Sequence, residues 1–67
     1  MVDRNYTKIE EGQEASVRYT GHYLRVDIYE IENEKVFFRN KNVKAGEPTK
    51  GYFNRLECSR YLTVIKP

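Results

Sequence analysis

The sequence predicts a mainly β fold, a small antiparallel domain of about five strands with one short helical turn near residues 54–59. Three observations predict it. Residues 15–39 form a long stretch rich in β-branched and aromatic residues, with apolar and polar side chains in alternation. Two polar or glycine-containing breaks divide this stretch. A second β-rich segment, residues 61–65, lies near the end of the chain.

The first hairpin is predicted to turn at Gly21-His22, because a type II′ turn needs a positive φ at its first central residue and glycine adopts it without strain. This register places Arg18 opposite Arg25 and Val17 opposite Val26. Since faces alternate along a strand, one face then collects apolar residues and the other collects polar ones. The apolar set is Ala15, Val17, Tyr19, Leu24, Val26 and Ile28, and the polar set is Ser16, Arg18, Thr20, Tyr23, Arg25 and Asp27.

The second hairpin is predicted to turn at Asn33-Glu34, which pairs Glu32 with Lys35, Ile31 with Val36 and Tyr29 with Phe38. The alternation of the first hairpin does not continue into this pairing. A β-bulge near Tyr29-Glu30 would restore one apolar face, because one extra residue reverses the alternation and bends the strand. The simpler alternative is a sheet with apolar groups on both faces.

The remaining segments are shorter. Residues 1–12 are predicted to be a flexible arm or an edge strand, and residues 40–51 a long basic loop that could hold a short strand near Val43. Asn54 and Glu57 have the spacing of a capping box for one helical turn. An alternative helix continues from Asn54 through Leu62, although β-branched residues 63–65 disfavour its extension. The further core candidates are Ile9, Ile31, Val36, Phe38, Val43, Phe53, Leu56, Leu62 and Val64.

Length and composition further restrict the number of domains, the cellular setting and the class of partner. Sixty-seven residues form one domain with a small core, so a bound partner or a homodimer would add stability. Cys58 is the single cysteine, the first residues are charged, and the longest apolar run is three residues. We therefore expect a cytoplasmic protein with no membrane segment. Residues 1–34 carry net charge −4 and residues 35–67 carry +6, which suggests an anionic partner.

In layout the predicted order of strand, two hairpins, loop, strand, helical turn and strand resembles an SH3-like or Tudor-like small barrel over residues 10–67. The resemblance lies in the order of elements and not in a sequence motif. Barrels of this kind bind peptides in some proteins and nucleic acids in others, so the resemblance implies a binding module of either kind.

No catalytic function is predicted, and neither a cofactor nor a metal is expected. His22 and Cys58 provide two ligands where a zinc site needs three or four, and no glycine-rich phosphate loop is present. The hypothesis is a binding module for nucleic acid, using arginines beside an exposed tyrosine and a basic loop. The candidate residues are Arg18, Tyr23, Arg25, Arg39, Lys41, Lys44, Lys50, Arg55 and Arg60. The alternative is a protein-interaction or inhibitor module that uses the six tyrosines or an edge strand.

Overall fold

The computed structural model describes residues 1–65. Five antiparallel strands and one short helix follow each other along the chain. They are β1 (Glu14–Tyr19), β2 (His22–Glu32), β3 (Lys35–Asn40), β4 (Lys50–Asn54), α1 (Arg55–Tyr61) and β5 (Leu62–Val64). The strands form one sheet in the order β4-β3-β2-β1-β5. The predicted mainly β class is therefore confirmed. Within the described residues β4 and β5 remain the two edges of an open sheet, so the predicted barrel closure is not observed.

The first hairpin turns at Thr20-Gly21 and not at the predicted Gly21-His22. Both turn residues have positive φ, 40° and 87°, as a type I′ turn requires. The register therefore differs by two residues from the predicted one, and Arg18 pairs with Tyr23 instead of Arg25. The predicted faces survive this error, because a shift of two residues keeps every side chain on its side of the sheet.

The second hairpin turns at Asn33-Glu34 as predicted, with φ values of 51° and 60°. The predicted bulge is also confirmed, since the β2–β3 register shifts between Ile28 and Glu30. The predicted pairing of Tyr29 with Phe38 is wrong. Phe38 pairs with Ile28, and Tyr29 is the extra residue of the bulge. Because a bulge leaves its extra residue outside the ladder, Tyr29 cannot have a direct partner on β3.

The core lies on one side of the sheet, which we call the inner face. Its buried apolar residues come from every strand except β4, from α1 and from the N-terminal segment. Gly51 and Phe53 of β4 also belong to this face, because they pair with the buried Phe38 and Val36. Val43 and Leu56, expected in the core, are instead about half exposed at 48% and 57%. The buried residues are Ile9, Ala15, Val17, Leu24, Val26, Ile28, Val36, Phe38, Cys58, Leu62 and Val64.

Helix α1 begins after the predicted capping box. The Asn54 side chain accepts a hydrogen bond from the Glu57 backbone N–H (2.9 Å), and the Glu57 carboxylate accepts one from the Asn54 N–H (3.0 Å). The helix is longer than the single predicted turn, but it ends at Tyr61, before the β-branched residues of β5. Its buried residue is Cys58, which anchors the helix to the core.

Candidate functional site

Three aromatic side chains form a row on the outer face, the side of the sheet opposite the core. Phe37 and Tyr52 are direct cross-strand partners with ring centroids 5.6 Å apart, and Tyr29 lies 6.4 Å from Phe37. The bulge explains why Tyr29 lies on the outer face. Ile28 faces the core, and Tyr29 and Glu30 then both follow on the outer face. We call Tyr29, Phe37 and Tyr52 the aromatic row.

Three cations surround the aromatic row. The Arg39 guanidinium lies 5.0 Å from the Tyr29 ring centroid, and the Lys50 ammonium lies 5.7 Å from the same ring. The Lys35 ammonium lies 5.2 Å from the Tyr52 ring. These are cation–π distances, each contributing about 0.5–1 kcal/mol at an exposed site. The contacts hold the positive charges beside the rings and leave them in contact with solvent.

These three cations are not neutralised by ion pairs. Among residues 1–65, none of Lys35, Arg39 and Lys50 has a carboxylate oxygen within 4.0 Å. Tyr52 is 54% exposed and Tyr29 is 36% exposed, so ring surface is accessible next to the charges. The outer face of β2, β3 and β4 therefore offers flat apolar surface and free positive charge together.

The predicted cluster of Arg18, Tyr23 and Arg25 lies on the first hairpin, and carboxylates partly offset its positive charge. Arg25 forms an ion pair with Glu14 at 2.9 Å, and Lys41 approaches Glu14 and Asp27 at 3.6 and 3.7 Å. Arg18 faces Tyr23 near the hairpin turn. The predicted juxtaposition of Arg18 and Arg25 is wrong because of the two-residue register shift, and carboxylates on the same face offset the charge of Arg25.

The other predicted cations are spread over the surface. Arg55 pairs with Glu34 at 2.7 Å, and Arg60 lies in the last turn of α1. Lys44 lies in the loop between β3 and β4, where it lines a cleft of about 180 Å³ together with Tyr23 and Arg25. Of the nine predicted site residues, Arg39 and Lys50 are the ones that reach the aromatic row.

Sequence reasoning missed Tyr29, Phe37, Tyr52 and Lys35 as site residues. The pairing of Phe37 with Tyr52 joins two strands separated by the loop of residues 41–49, so no local pattern indicates it. The predicted bulge was the available signal. An extra residue at Tyr29 places two consecutive side chains on the outer face beside Phe37.

Acidic residues border the row at the end nearer the second hairpin turn. A hydrogen bond with the Glu32 side chain, together with desolvation and the charges of Glu32 and Glu11, raises the pKa of the Glu30 carboxyl. Glu11 is held in place there by the Ile31 N–H, which donates to its carboxylate at 2.9 Å. Arg39 and Lys50 therefore lie at one end of the aromatic row, and Lys35 lies at the other end beside Glu32, its partner on β2.

The potential catalytic groups are few. His22 Nε2 lies 3.3 Å from a Glu47 carboxylate oxygen, and burial raises the pKa of the Cys58 thiol to about 11. A thiol with so high a pKa is a poor nucleophile at neutral pH. Within residues 1–65 no group of three or more His, Cys, Asp and Glu side chains is placed to hold a metal ion.

Comparison with known proteins adds no relative. Neither a scan against protein-family models nor searches of curated proteins and of solved structures returned a match. In the described part of the chain, α1 is far too short to cross a lipid bilayer.

Proposed function

We propose that this protein binds single-stranded nucleic acid on the outer face of β2, β3 and β4. The observation that carries the proposal is the aromatic row with three cations that have no carboxylate partner among residues 1–65. Aromatic side chains stack on unpaired bases, and lysine and arginine contact the phosphates that join them. The pair of features is typical of surfaces that bind single strands.

A single strand fits this surface better than a duplex. The rings lie on a sheet face, where a base can stack only if it is not already stacked between neighbours. Reading a duplex would require an element that enters a groove. Within residues 1–65 the helix is α1, which has seven residues, and its buried residue Cys58 ties it to the core. Stacking also explains why the bases need not have one sequence, since every base has a π face.

The scaffold is part of the proposal. The observed element order, with a short helix between the last two strands, supports an SH3-like or Tudor-like layout. We propose a cytoplasmic setting as well, because a single buried cysteine suits a reducing compartment. Neither point determines the ligand, since small β scaffolds of this kind have diverse partners.

Fluorescence anisotropy with labelled oligonucleotides tests the proposal. We expect single-stranded RNA or DNA to bind at low salt and a duplex of the same sequence to bind more weakly. Three phosphate contacts give a slope of about −2 when log K is plotted against the logarithm of the salt concentration. Affinity therefore falls roughly 20-fold between about 50 and about 200 mM salt. The absence of any binding at low salt would exclude the proposal.

Matched variants locate the site. Tyr52→Ala removes a stacking ring and is expected to weaken binding by about 1–3 kcal/mol, which is roughly 5- to 150-fold. Tyr6→Ala is the control, because Tyr6 is 85% exposed and lies in the N-terminal segment, away from the sheet face. Equal losses in the two variants would show that binding does not depend on the aromatic row.

A charge-reversal pair distinguishes the two candidate clusters on the outer face. Arg39→Glu places a negative charge beside Tyr29, and Arg25→Glu places one in the cluster already paired with Glu14. Binding through the aromatic row predicts a large loss for Arg39→Glu and a small one for Arg25→Glu. The opposite order would move the site to the first hairpin.

A further inference from the structure

An apolar groove lies between β4 and the end of the first hairpin. We call it the seam groove. It has a volume of about 270 Å³, and its walls are the four β4 residues 50–53 on one side and residues 17–19 of β1 on the other. Core residues form its floor: Val17, Leu24, Phe38 and Phe53. The groove therefore exposes part of the inner face at the position where the sheet stays open.

The wall formed by β4 is an unpaired strand edge. In antiparallel pairs, hydrogen-bonded and non-hydrogen-bonded residue pairs alternate. The Asn40 N–H donates to the Thr49 carbonyl at 2.8 Å, so the next bonded pairs on β4 are those of Gly51 and Phe53. Lys50 and Tyr52 consequently direct their N–H and C=O groups away from β3, toward the open edge.

A second cleft continues the seam groove toward the helix. The two clefts share Arg18 and Phe53, and the second is also lined by Glu57 and Tyr61 of α1. The charges along this path differ between the two clefts. Lys50 lines the seam groove and Arg18 lines both clefts, and neither has a carboxylate within 4.0 Å among the described residues, whereas Glu57 lines the second cleft alone.

We propose that the seam groove binds an extended segment of a partner protein, which adds to β4 as a strand and carries acidic side chains that meet Lys50 and Arg18. Main-chain groups of Lys50 and Tyr52 bond the incoming strand, and alternate apolar side chains enter the groove. The groove is lined by inner-face residues, but Lys50 and Tyr52 also belong to the proposed nucleic-acid surface through their side chains, so the two sites adjoin and share these two residues.

Charge selects this occupant over a second copy of the chain. The strand that another copy could offer is its own β4, of sequence KGYFN, with one base and no acid. Its lysine would meet a groove rim of the same sign, which disfavours the complex. An acidic extended segment has the complementary charge. A length of about five residues matches β4, since each strand residue spans about 3.3 Å.

Amide chemical shifts of the isotope-labelled full chain, titrated with short peptides, test the proposal. The probes are an acetylated peptide of alternating glutamate and valine, the lysine–valine peptide of equal length, and a glutamate–valine peptide N-methylated at alternate residues. We expect the acidic peptide to shift Lys50, Tyr52 and Arg18, and the lysine peptide to bind weakly. The N-methylated peptide should also bind weakly, because it lacks main-chain donors.

Charge reversal sharpens the test. Arg18→Glu is expected to weaken the acidic peptide by about tenfold and to strengthen the lysine peptide, whereas the exposed Lys8→Glu changes neither. Arg18 is not one of the three cations in contact with the aromatic row, so Arg18→Glu should weaken nucleic-acid binding less than Arg39→Glu does. Shifts confined to Tyr29 and Phe37, or equal binding of both peptides, would overturn the proposal. Concentration-dependent self-association in sedimentation, with the same amides shifted, would also overturn it in favour of a second copy.

Discussion

The two edge strands of this sheet differ in whether another segment of the chain covers them. At the β5 edge, the N-terminal segment takes the place of a neighbouring strand. The Arg4 N–H donates to the Leu62 carbonyl at 2.9 Å, and the Val64 N–H donates to the Asp3 carboxylate at 2.7 Å. At the β4 edge, Lys50 and Tyr52 direct their main-chain groups toward the seam groove. We call these the covered edge and the open edge.

Asp3 is the residue on which the covered edge depends. It is 1% exposed, and its other carboxylate oxygen accepts hydrogen bonds from the N–H groups of Asn5 and Thr7, each at 2.8 Å. One carboxylate thus joins the turn of the N-terminal segment to β5. An unprotected strand edge can pair with another chain. The covered edge therefore contributes to folding stability, whereas the open edge is accessible to a partner strand.

The largest expected effect comes from breaking the covered edge at Asp3. Asp3→Ala leaves three N–H groups without their acceptor, the buried one of Val64 and the part-buried ones of Asn5 and Thr7, and we expect a loss of about 3–5 kcal/mol in the free energy of unfolding. That is comparable with the whole stability of a domain of this size, about 3–10 kcal/mol. Urea denaturation measures it. Asp27→Ala, at a partly exposed carboxylate, is the control and should cost below about 1 kcal/mol.

A conservative variant separates the loss of the hydrogen-bond acceptor from the loss of side-chain volume. Asp3→Asn keeps the volume and one acceptor oxygen, so it should be destabilised less than Asp3→Ala. If Asp3→Ala unfolds at the same urea concentration as the wild type, the N-terminal segment does not hold the covered edge.

A pair of proline substitutions compares the edges directly. Val64→Pro removes the N–H that bonds Asp3, and we expect it to cost about 3 kcal/mol or more. Tyr52→Pro removes an N–H that points to the open edge, which prolines tolerate, so about 1 kcal/mol is expected from lost ring packing. Thermal or urea unfolding gives both values. Val64→Ala corrects for the lost side chain, and equal costs at the two edges would refute the contrast.

The Cys58 thiol reports which edge controls opening of the core. Burial, and then the charge of Glu57, raises the pKa of this thiol to about 11, so at pH 8 it is protonated as well as buried. We expect alkylation to be slow in the native protein and complete in denaturant. Asp3→Asn should accelerate it and Tyr52→Pro should not. Rapid alkylation of the native wild type would contradict the burial of Cys58.

The smallest effect concerns the loop that leads into the open edge. The Lys44 backbone N–H, helped by the Asn40 amide and His22, lowers the pKa of the Glu47 carboxyl from its ordinary value of 4.5. The ionised form is therefore favoured by folding, and this contribution is present above pH 4.5 and disappears as the pH falls through the lower folded value. The protection factor of the Lys44 amide, which is its intrinsic exchange rate at a given pH divided by the observed rate, should fall in that acidic range. Glu47→Gln should remove the dependence, and an unchanged protection factor would contradict it.

Local sequence patterns correctly predicted the strand faces, the second turn, the bulge and the helix cap. The alternation of apolar residues identified the inner face of β1 and β2, and the polar tetrad at residues 32–35 identified the second turn. The bulge followed from a conflict between two alternating patterns, and the capping box from the spacing of Asn54 and Glu57. Each of these depends on residues close together in the chain, so the sequence contains the necessary information.

The register of the first hairpin needed more than the pattern. Turns at residues 20–21 and at residues 21–22 both place Val17, Leu24 and Val26 on one face, so hydrophobicity does not separate them. The observed type I′ turn suits the right-handed twist of the strands, and Thr20 takes a positive φ to make it. The predicted pairing of Arg18 with Arg25 was wrong for this reason.

The candidate site was only partly predictable for a related reason. Arg39 and Lys50 were identified from composition, but their meeting at Tyr29 depends on the pairing of β3 with β4. The burial of Asp3 likewise depends on its contact with Val64, sixty-one positions away. Val43 and Leu56 look apolar in sequence, yet the loop and the helix turn them toward solvent.

The sequence by itself determined that alternating side chains separate an apolar face from a polar one, because strand geometry makes that division at every second residue. The tertiary structure alone decided which strands became edges, which edge Asp3 covers and which rings form the aromatic row. Those outcomes depend on contacts between distant segments, and their free energy is gained only when the whole sheet has assembled.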